Sequence, residues 1–304
     1  MKTRKIADMD VSRLCLGTMT FGTPVNQSSA VDIIHWALDH GINFIDTADM
    51  YEGYARCLGS SGGIAEQFVG EALKDRREKA VITTKAGCPV DGPDSTFDIS
   101  PAHLTRQLDR SLSYLRTDYV DIFELHRPDA HTPLEESLGA VANFVKQGKT
   151  RHWGFSNFEA DSIRQMVKIC DDNGYPRPVV SQPQFSWLSR DAAEQHIPAC
   201  AEAGIAVTPY RVLESGLLTG KYRRGQPLPE DSRAHDECGW LSEPDEAIYD
   251  SIEAFAAEAD ASGLTAGQYA LKWVLDQPGL TACVVGAKRI DQIAALMPGC
   301  ESSD

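Results

Sequence analysis

Short β-rich runs and helical stretches take turns along the whole chain, and this alternation is what most limits the folds open to it. The β-rich runs cover Leu14–Gly17, Asn43–Thr47, Ala80–Lys85, Val120–Leu125, His152–Phe155, Pro178–Gln182, Ala206–Tyr210 and Ala282–Val285. Between them, apolar residues recur at helical spacing, as in Leu104, Leu108, Leu112 and Leu115, or Ile163, Met166, Val167 and Cys170. Strands that alternate with helices, with no second zone of composition, predict an α/β fold: a (β/α)8 TIM barrel in one domain over residues 1–304. A barrel of this class runs to about 250 residues and more, so the length does not demand a second domain.

The punctuation agrees. Gly41, Gly148, Gly174 and Gly204 each follow a helical stretch and precede a strand, where a left-handed residue ends a helix at little cost. Thr3–Ile6 and the residues around Ser12 predict a hairpin that closes the barrel floor. Two segments break the rhythm, Tyr54–Gly63 after the second strand and Leu213–Pro244 after the seventh. Long loops after barrel strands lie on the carboxyl face, where sites are built.

Composition excludes some partners. The formal charge of −15 is spread along the chain and argues against nucleic acid and anionic membranes. No apolar run approaches the length of a membrane span, and no apolar core of a signal peptide follows the basic start, so a cytoplasmic location is expected. The eight cysteines form no CxxC and no zinc-finger pairing.

Four residues with chemical potential fall at or just past strand ends: Asp46, Tyr51, Lys85 and His126. In a barrel these ends are neighbours. Reducing a carbonyl by hydride transfer needs a proton donor at the developing alkoxide, and a tyrosine is a weak one near neutrality. A neighbouring ammonium favours the ionised phenol and so strengthens the donor. Tyr51 would donate, Lys85 tune it, Asp46 keep Lys85 charged and His126 orient the carbonyl oxygen. A metal-dependent barrel hydrolase would want an HxH or several strand-end carboxylates, and neither is present. No GxGxxG fingerprint exists either.

The stretch Gly41-Ile-Asn-Phe-Ile-Asp-Thr-Ala-Asp-Met-Tyr51 resembles the aldo-keto reductase signature. Val81–Lys85, Leu125–Asp129, Gly154–Asn157, Gly216–Tyr222 and Trp273–Gly279 resemble later blocks of that family in the same order. The resemblance implies NADP(H) as the preferred cofactor, with NAD(H) possible, and a small carbonyl compound as substrate. It implies that Ser156, Asn157 and Gln182 hold the nicotinamide carboxamide and that Tyr210 stacks under the ring. The Leu213–Gly220 loop, with Leu213 and Gly216, and Lys221 beyond it, would cross the diphosphate. Gly286, Lys288 and Arg289 match the adenosine-phosphate site, and Gln292 and Asp291 would reach the adenosine. Some relatives of this fold serve ion channels, so a cofactor-binding regulatory subunit with little turnover is the alternative.

Two departures from the family pattern stand out. About seven extra residues around Tyr54–Gly62 follow Tyr51-Glu52, with Tyr54, Arg56 and Cys57 as candidate substrate contacts. Arg211 stands where many relatives carry a small residue, near the expected diphosphate or an anionic substrate. Met19, Phe21, Arg127, Trp187 and Trp240 complete the expected substrate pocket.

Overall fold

A computed structural model describes residues 1–301 except 58, 236–240 and 242–243. The chain opens with an antiparallel hairpin, β1 (Thr3–Ile6) and β2 (Met9–Ser12), in which Thr3 pairs with Ser12 and Ile6 with Met9. Eight parallel strands follow: β3 (Leu14–Gly17), β4 (Phe44–Asp46), β5 (Val81–Ala86), β6 (Val120–Leu125), β7 (Thr150–Ser156), β8 (Val180–Gln182), β9 (Ala206–Val207) and β10 (Cys283–Gly286). Their order in the sheet is β10-β3-β4-β5-β6-β7-β8-β9. The amide of Thr281 donates to the Val207 carbonyl at 2.8 Å and that of Val284 to the Pro209 carbonyl at 2.9 Å, so β10 also meets β9 and the ring closes.

Helices return the chain between strands: α1 (Gln27–Asp39), α2 (Ile64–Ala72), α3 (Pro101–Leu115), α4 (Leu134–Lys146), α5 (Ala160–Asn173), α6 (His196–Ala203), α7 (Glu246–Ser262), α8 (Ala266–Leu275) and α9 (Ile290–Glu301). Local signals explain their ends. The Ser100 side chain accepts from the His103 amide and Pro101 occupies the first turn, which starts α3. α5 and α6 end on Gly174 (φ 66°) and Gly204 (φ 69°), as their positions in the sequence predict. The stripe Leu104, Leu108, Leu112 and Leu115 is buried as a unit.

Ile6, Met9 and Val11 of the hairpin join Cys15, Phe44, Val81, Ile122, Val180 and Ala282 in one apolar cluster. This cluster seals the amino-terminal end of the ring, so the predicted floor is present and the loops of the opposite face carry the polar side chains. Regular pairing is shorter than expected in several places. The Asn43–Thr47 run pairs regularly only over β4. The Ala206–Tyr210 run ladders only over β9, because Pro209 has no amide to donate. Its amides at Thr208 and Tyr210 still reach Ser181 and Pro183, at 2.9 and 3.0 Å. The Pro178–Gln182 run becomes regular only at Val180.

The extra residues after Tyr51 are pinned on both sides. Tyr54 donates its amide to Thr23, Gly92 to Gly59 at 2.9 Å, and Asp91 to Ser60 at 3.2 Å. Arg56 donates to the carbonyls of Met50 at 3.0 Å and Pro89 at 2.5 Å. Gly59 has φ 85°, and a Cβ there would stand 2.4 Å from the Gly92 backbone, so the contact with the β5–α3 loop requires glycine. No described helix is long and apolar enough to cross a membrane.

Candidate active site

Strand ends on the carboxyl face assemble the polar centre. β4 carries Asp46 and β5 carries Lys85, both nearly fully buried. The Lys85 Nζ lies 2.6 Å from Asp46 Oδ1 and donates to the Thr47 carbonyl at 2.9 Å and to the Tyr51 hydroxyl at 3.4 Å. The same ammonium stands 5.0 Å from the centre of the Tyr51 ring. Tyr51 sits in the turn after β4, its amide bonded to Ala48. Edge-on to it, at 6.0 Å between ring centres and 81° between planes, is His126 at the end of β6. Asp46, Lys85, Tyr51 and His126, the four residues named from the sequence, therefore form one contiguous cluster.

Their protonation follows from burial and neighbours. Burial works against the Lys85 charge, but Asp46, the Tyr51 phenol and Glu124 outweigh it and hold the ammonium above the ordinary lysine range. Burial pushes the Tyr51 phenol up, and the pull of Lys85 only partly offsets this. The ammonium alone predicts a lowered phenol, but desolvation outweighs it. Tyr51 stays protonated through neutral pH. His126 is driven well below the ordinary imidazole value by burial and then by Lys85, Arg127 and Arg56. It is neutral, and its buried Nδ1 has no hydrogen-bond partner.

Glu124 belongs to this centre and was not singled out from the sequence. It pairs in register with Lys85 across β5 and β6, and burial raises its carboxyl to about 8. A charged residue inside the apolar run Ile122-Phe123-Glu124-Leu125 was the available signal. Such a carboxyl binds its proton more tightly folded than unfolded. Its contribution therefore becomes unfavourable as pH rises from 4.5 through about 8. Glu124→Gln is expected to change Tm little near pH 5 and to raise it by a few degrees near pH 8, at about 2–4 °C per kcal/mol. Equal thermal shifts at both pH values would contradict the assignment.

A second cluster joins β7, β8 and the chain beyond β9. The Ser156 hydroxyl donates to the Gln182 carbonyl at 2.7 Å. Asn157, at φ 64°, donates to the His126 carbonyl at 3.0 Å and to Ser156 Oγ at 2.8 Å, and accepts from the Tyr210 hydroxyl at 2.8 Å. Gln182 donates its side-chain amide to Asp46 Oδ1 at 2.8 Å, which ties this cluster to the ion pair. Arg211, Glu214, Ser215, Gly216 and Gly220 all have positive φ. Backbone of this kind forms the N–H concavities that cradle anions. Leu213 accepts from the amides of Gly216 and Leu218 within that turn.

Past β10, which ends on Gly286, three cofactor candidates close on one carboxylate. Asp231 accepts from Lys288 at 3.2 Å, from Gln292 at 3.2 Å and from Arg289. Lys221 donates to the Asp231 carbonyl at 2.7 Å, and Arg289 also meets Asp291 at 3.0 Å. The cations assigned to a phosphate are thus already gathered on an anion. Asp231 escaped the sequence reading because its placement depends on the path of a long loop.

Residues 13–301 match the model of the aldo/keto reductase family. The chain belongs to that family. A solved aldo-keto reductase of Bacillus halodurans, in its holo form, matches with a TM-score of 0.79 at 30% identity, over 100% of this chain and 92% of that one. The uncharacterized oxidoreductase YrpG of Bacillus subtilis is 32% identical over 300 residues, 96% of this chain and 88% of its own. The "Probable voltage-gated potassium channel subunit beta" of Arabidopsis thaliana is 32% identical over 294 residues, 94% of this chain and 86% of its own.

The expected substrate contacts of this aldo/keto reductase scatter. Phe21 is fully buried and packs in the core beneath the rim, so it offers no face to a ligand. Trp187 packs against Phe255 of α7, 5.4 Å between rings, and its indole donates to Glu258, which assigns it to the outer layer. Tyr54 turns toward the cations, its ring 5.5 Å from Lys288 and 5.8 Å from Arg233. Met19 is half-buried in the turn after β3, and Arg127 is exposed at the end of β6. Arg56 is consumed in holding the insertion, while Cys57 is an exposed free thiol on it. Trp240 lies outside the described residues.

Proposed function

We propose that this aldo/keto reductase chain reduces an aldehyde or ketone to the alcohol, with NADPH as the preferred cofactor and Tyr51 as the acid. One observation carries the reading: a protonated tyrosine touches an ammonium that is itself clamped to a buried carboxylate, beside a neutral histidine. A bound nicotinamide supplies the hydride. The chain supplies everything around it. The Tyr51 hydroxyl gives its proton to the carbonyl oxygen, and the Lys85 ammonium stabilises the phenolate left behind. His126, uncharged, can share a hydrogen bond with the same oxygen without competing as an acid.

The residues fit the dinucleotide. Ser156, Asn157 and Gln182 offer amide and hydroxyl groups for a carboxamide, and the left-handed stretch through Gly216 offers backbone amides for a diphosphate. Lys288 and Arg289, already drawn together by Asp231, are suited to a 2′-phosphate. Charge-assisted bonds of this kind are worth about 1.5–3 kcal/mol, or roughly ten- to a hundredfold in affinity. Lys288→Met is therefore expected to weaken NADPH at least tenfold and NADH much less, read by quenching of protein fluorescence. Equal losses for both cofactors would remove the 2′-phosphate assignment.

The similarity to a protein named as a potassium channel β subunit favours a second reading, a cofactor-binding subunit with little turnover. Mixing NADPH with 4-nitrobenzaldehyde and following cofactor absorbance separates the two. Steady oxidation of NADPH supports the reductase. Binding with no oxidation of NADPH, for this and other activated carbonyls, supports the subunit.

A further inference from the structure

The rim beside His126 holds an arginine with no carboxylate partner among the described residues. The chain carries 44 acidic and 29 basic residues, so arginines readily find carboxylates. Arg77, Arg110, Arg151, Arg177 and Arg224 all do. Among the described residues Arg127 makes no ion pair, although Asp129 is two positions away. That carboxylate is engaged elsewhere. It accepts from the amides of Ile99 at 2.8 Å, His131 at 2.7 Å and Thr132 at 2.6 Å, and from the Thr132 hydroxyl at 2.6 Å. Asp98 is engaged too, by the Ser100 amide at 2.8 Å and by His103.

What Arg127 does touch is an aromatic ring. Its guanidinium stands 5.9 Å from the centre of Phe97, on the loop that joins β5 to α3. Phe97 is 44% exposed and is the large apolar side chain most open to solvent among the described residues. The amide of Asp98 bonds back to Gly87, which holds this loop against the end of β5. Arg127 also follows His126 directly, so their α-carbons are about 3.8 Å apart. An unpaired guanidinium and an open aromatic face thus stand side by side, one residue from the proposed carbonyl site.

We infer that the carbonyl substrate carries an oxyanion, a carboxylate or a phosphate monoester, seated on Arg127 with its apolar body against Phe97; this rests on the proposed reductase activity. The guanidinium fork matches two oxygens of such a group, and an aromatic or apolar spacer extends the contact over the ring. The net charge of −15 opposes the approach of anions in general, so a local cation is what an anionic substrate needs here. Arg211 is the rival reader of the anion. It is also exposed and unpaired among the described residues, but it lies on the Tyr210 side, next to the turn suited to a diphosphate.

The test compares 4-carboxybenzaldehyde, 4-formylphenyl phosphate and the uncharged methyl 4-formylbenzoate as substrates, with NADPH, for wild type, Arg127→Met, Arg127→Lys and Arg211→Met. For wild type, kcat/KM is expected to favour at least one of the two anions over the ester by about tenfold or more, the scale of one charge-assisted contact. Which anion is favoured tells carboxylate from phosphate. The preference collapses toward unity in Arg127→Met, through KM, and returns in part in Arg127→Lys. No preference in wild type, or a preference removed by Arg211→Met and kept by Arg127→Met, overturns the inference. If no aldehyde is turned over at all, the reductase reading fails by itself. Calorimetric titration with benzoate and phenyl phosphate then decides the anion site: binding weakened about tenfold in Arg127→Met supports it, and equal or absent binding refutes it.

Discussion

Tyr51→Phe is expected to lower kcat by about 10²–10⁴-fold, the range that a positioned proton donor contributes, while the affinity for NADPH stays within twofold. The asymmetry follows from where the hydroxyl stands. It touches Lys85 and faces His126, and it takes no part in the Ser156–Asn157–Gln182 cluster or the Asp231 cluster. Removing one oxygen therefore deletes the proposed acid and leaves the proposed cofactor cradle intact. Pre-steady-state mixing separates the steps: binding amplitude is kept and the chemical step is lost. A Phe variant within tenfold of wild type would remove Tyr51 from the role of acid.

Lys85→Met carries the second large expectation, and it has two parts. Catalysis should fall by about a hundredfold or more, because the phenolate formed on proton transfer loses its ammonium. Stability should fall as well, by about 3–5 kcal/mol, since Asp46 would be left as a buried charge without its counter-ion. The parts can be pulled apart. Adding Asp46→Asn to Lys85→Met removes the stranded charge and is expected to restore much of the lost Tm without restoring turnover. Recovery of both by the double variant would mean that Lys85 serves only the fold. The alkaline limb of the kcat profile should also move upward in Lys85→Met if it remains measurable, because burial raises the Tyr51 phenol and Lys85 is what pulls it down.

The barrel was legible because its signal is repeated. Eight strand runs each had to alternate with a helix, and errors of one or two residues at Pro178, Pro209 or Ala282 did not disturb the pattern. The four polar residues around Tyr51 were legible for a related reason. Strand ends are neighbours in a closed ring, so position along a strand already implies position in space. Side chains carried by long connections had no such guide. Asp231 reaches Lys288 and Arg289 from 57 and 58 positions away, and Tyr54 crosses to the same cations, by paths that no periodicity encodes. Aromatic type alone was also a poor guide. Phe21, Trp187 and Phe97 look equivalent in sequence, yet one lies in the core, one under an outer helix and one in the open.

The insertion after Tyr51 links parts of the molecule that a shorter loop would leave independent. At one end it is laced to the β5–α3 loop through Gly59 and Ser60; at the other, Tyr54 lies over Lys288 and Arg233. A force applied to either neighbour is felt by the other. Under the proposed cofactor and substrate assignments, exchange of the dinucleotide and reshaping of the substrate doorway would be coupled through one short strap. An engineer who trims that strap to broaden the range of aldehydes should expect the residence time of the cofactor to change with it.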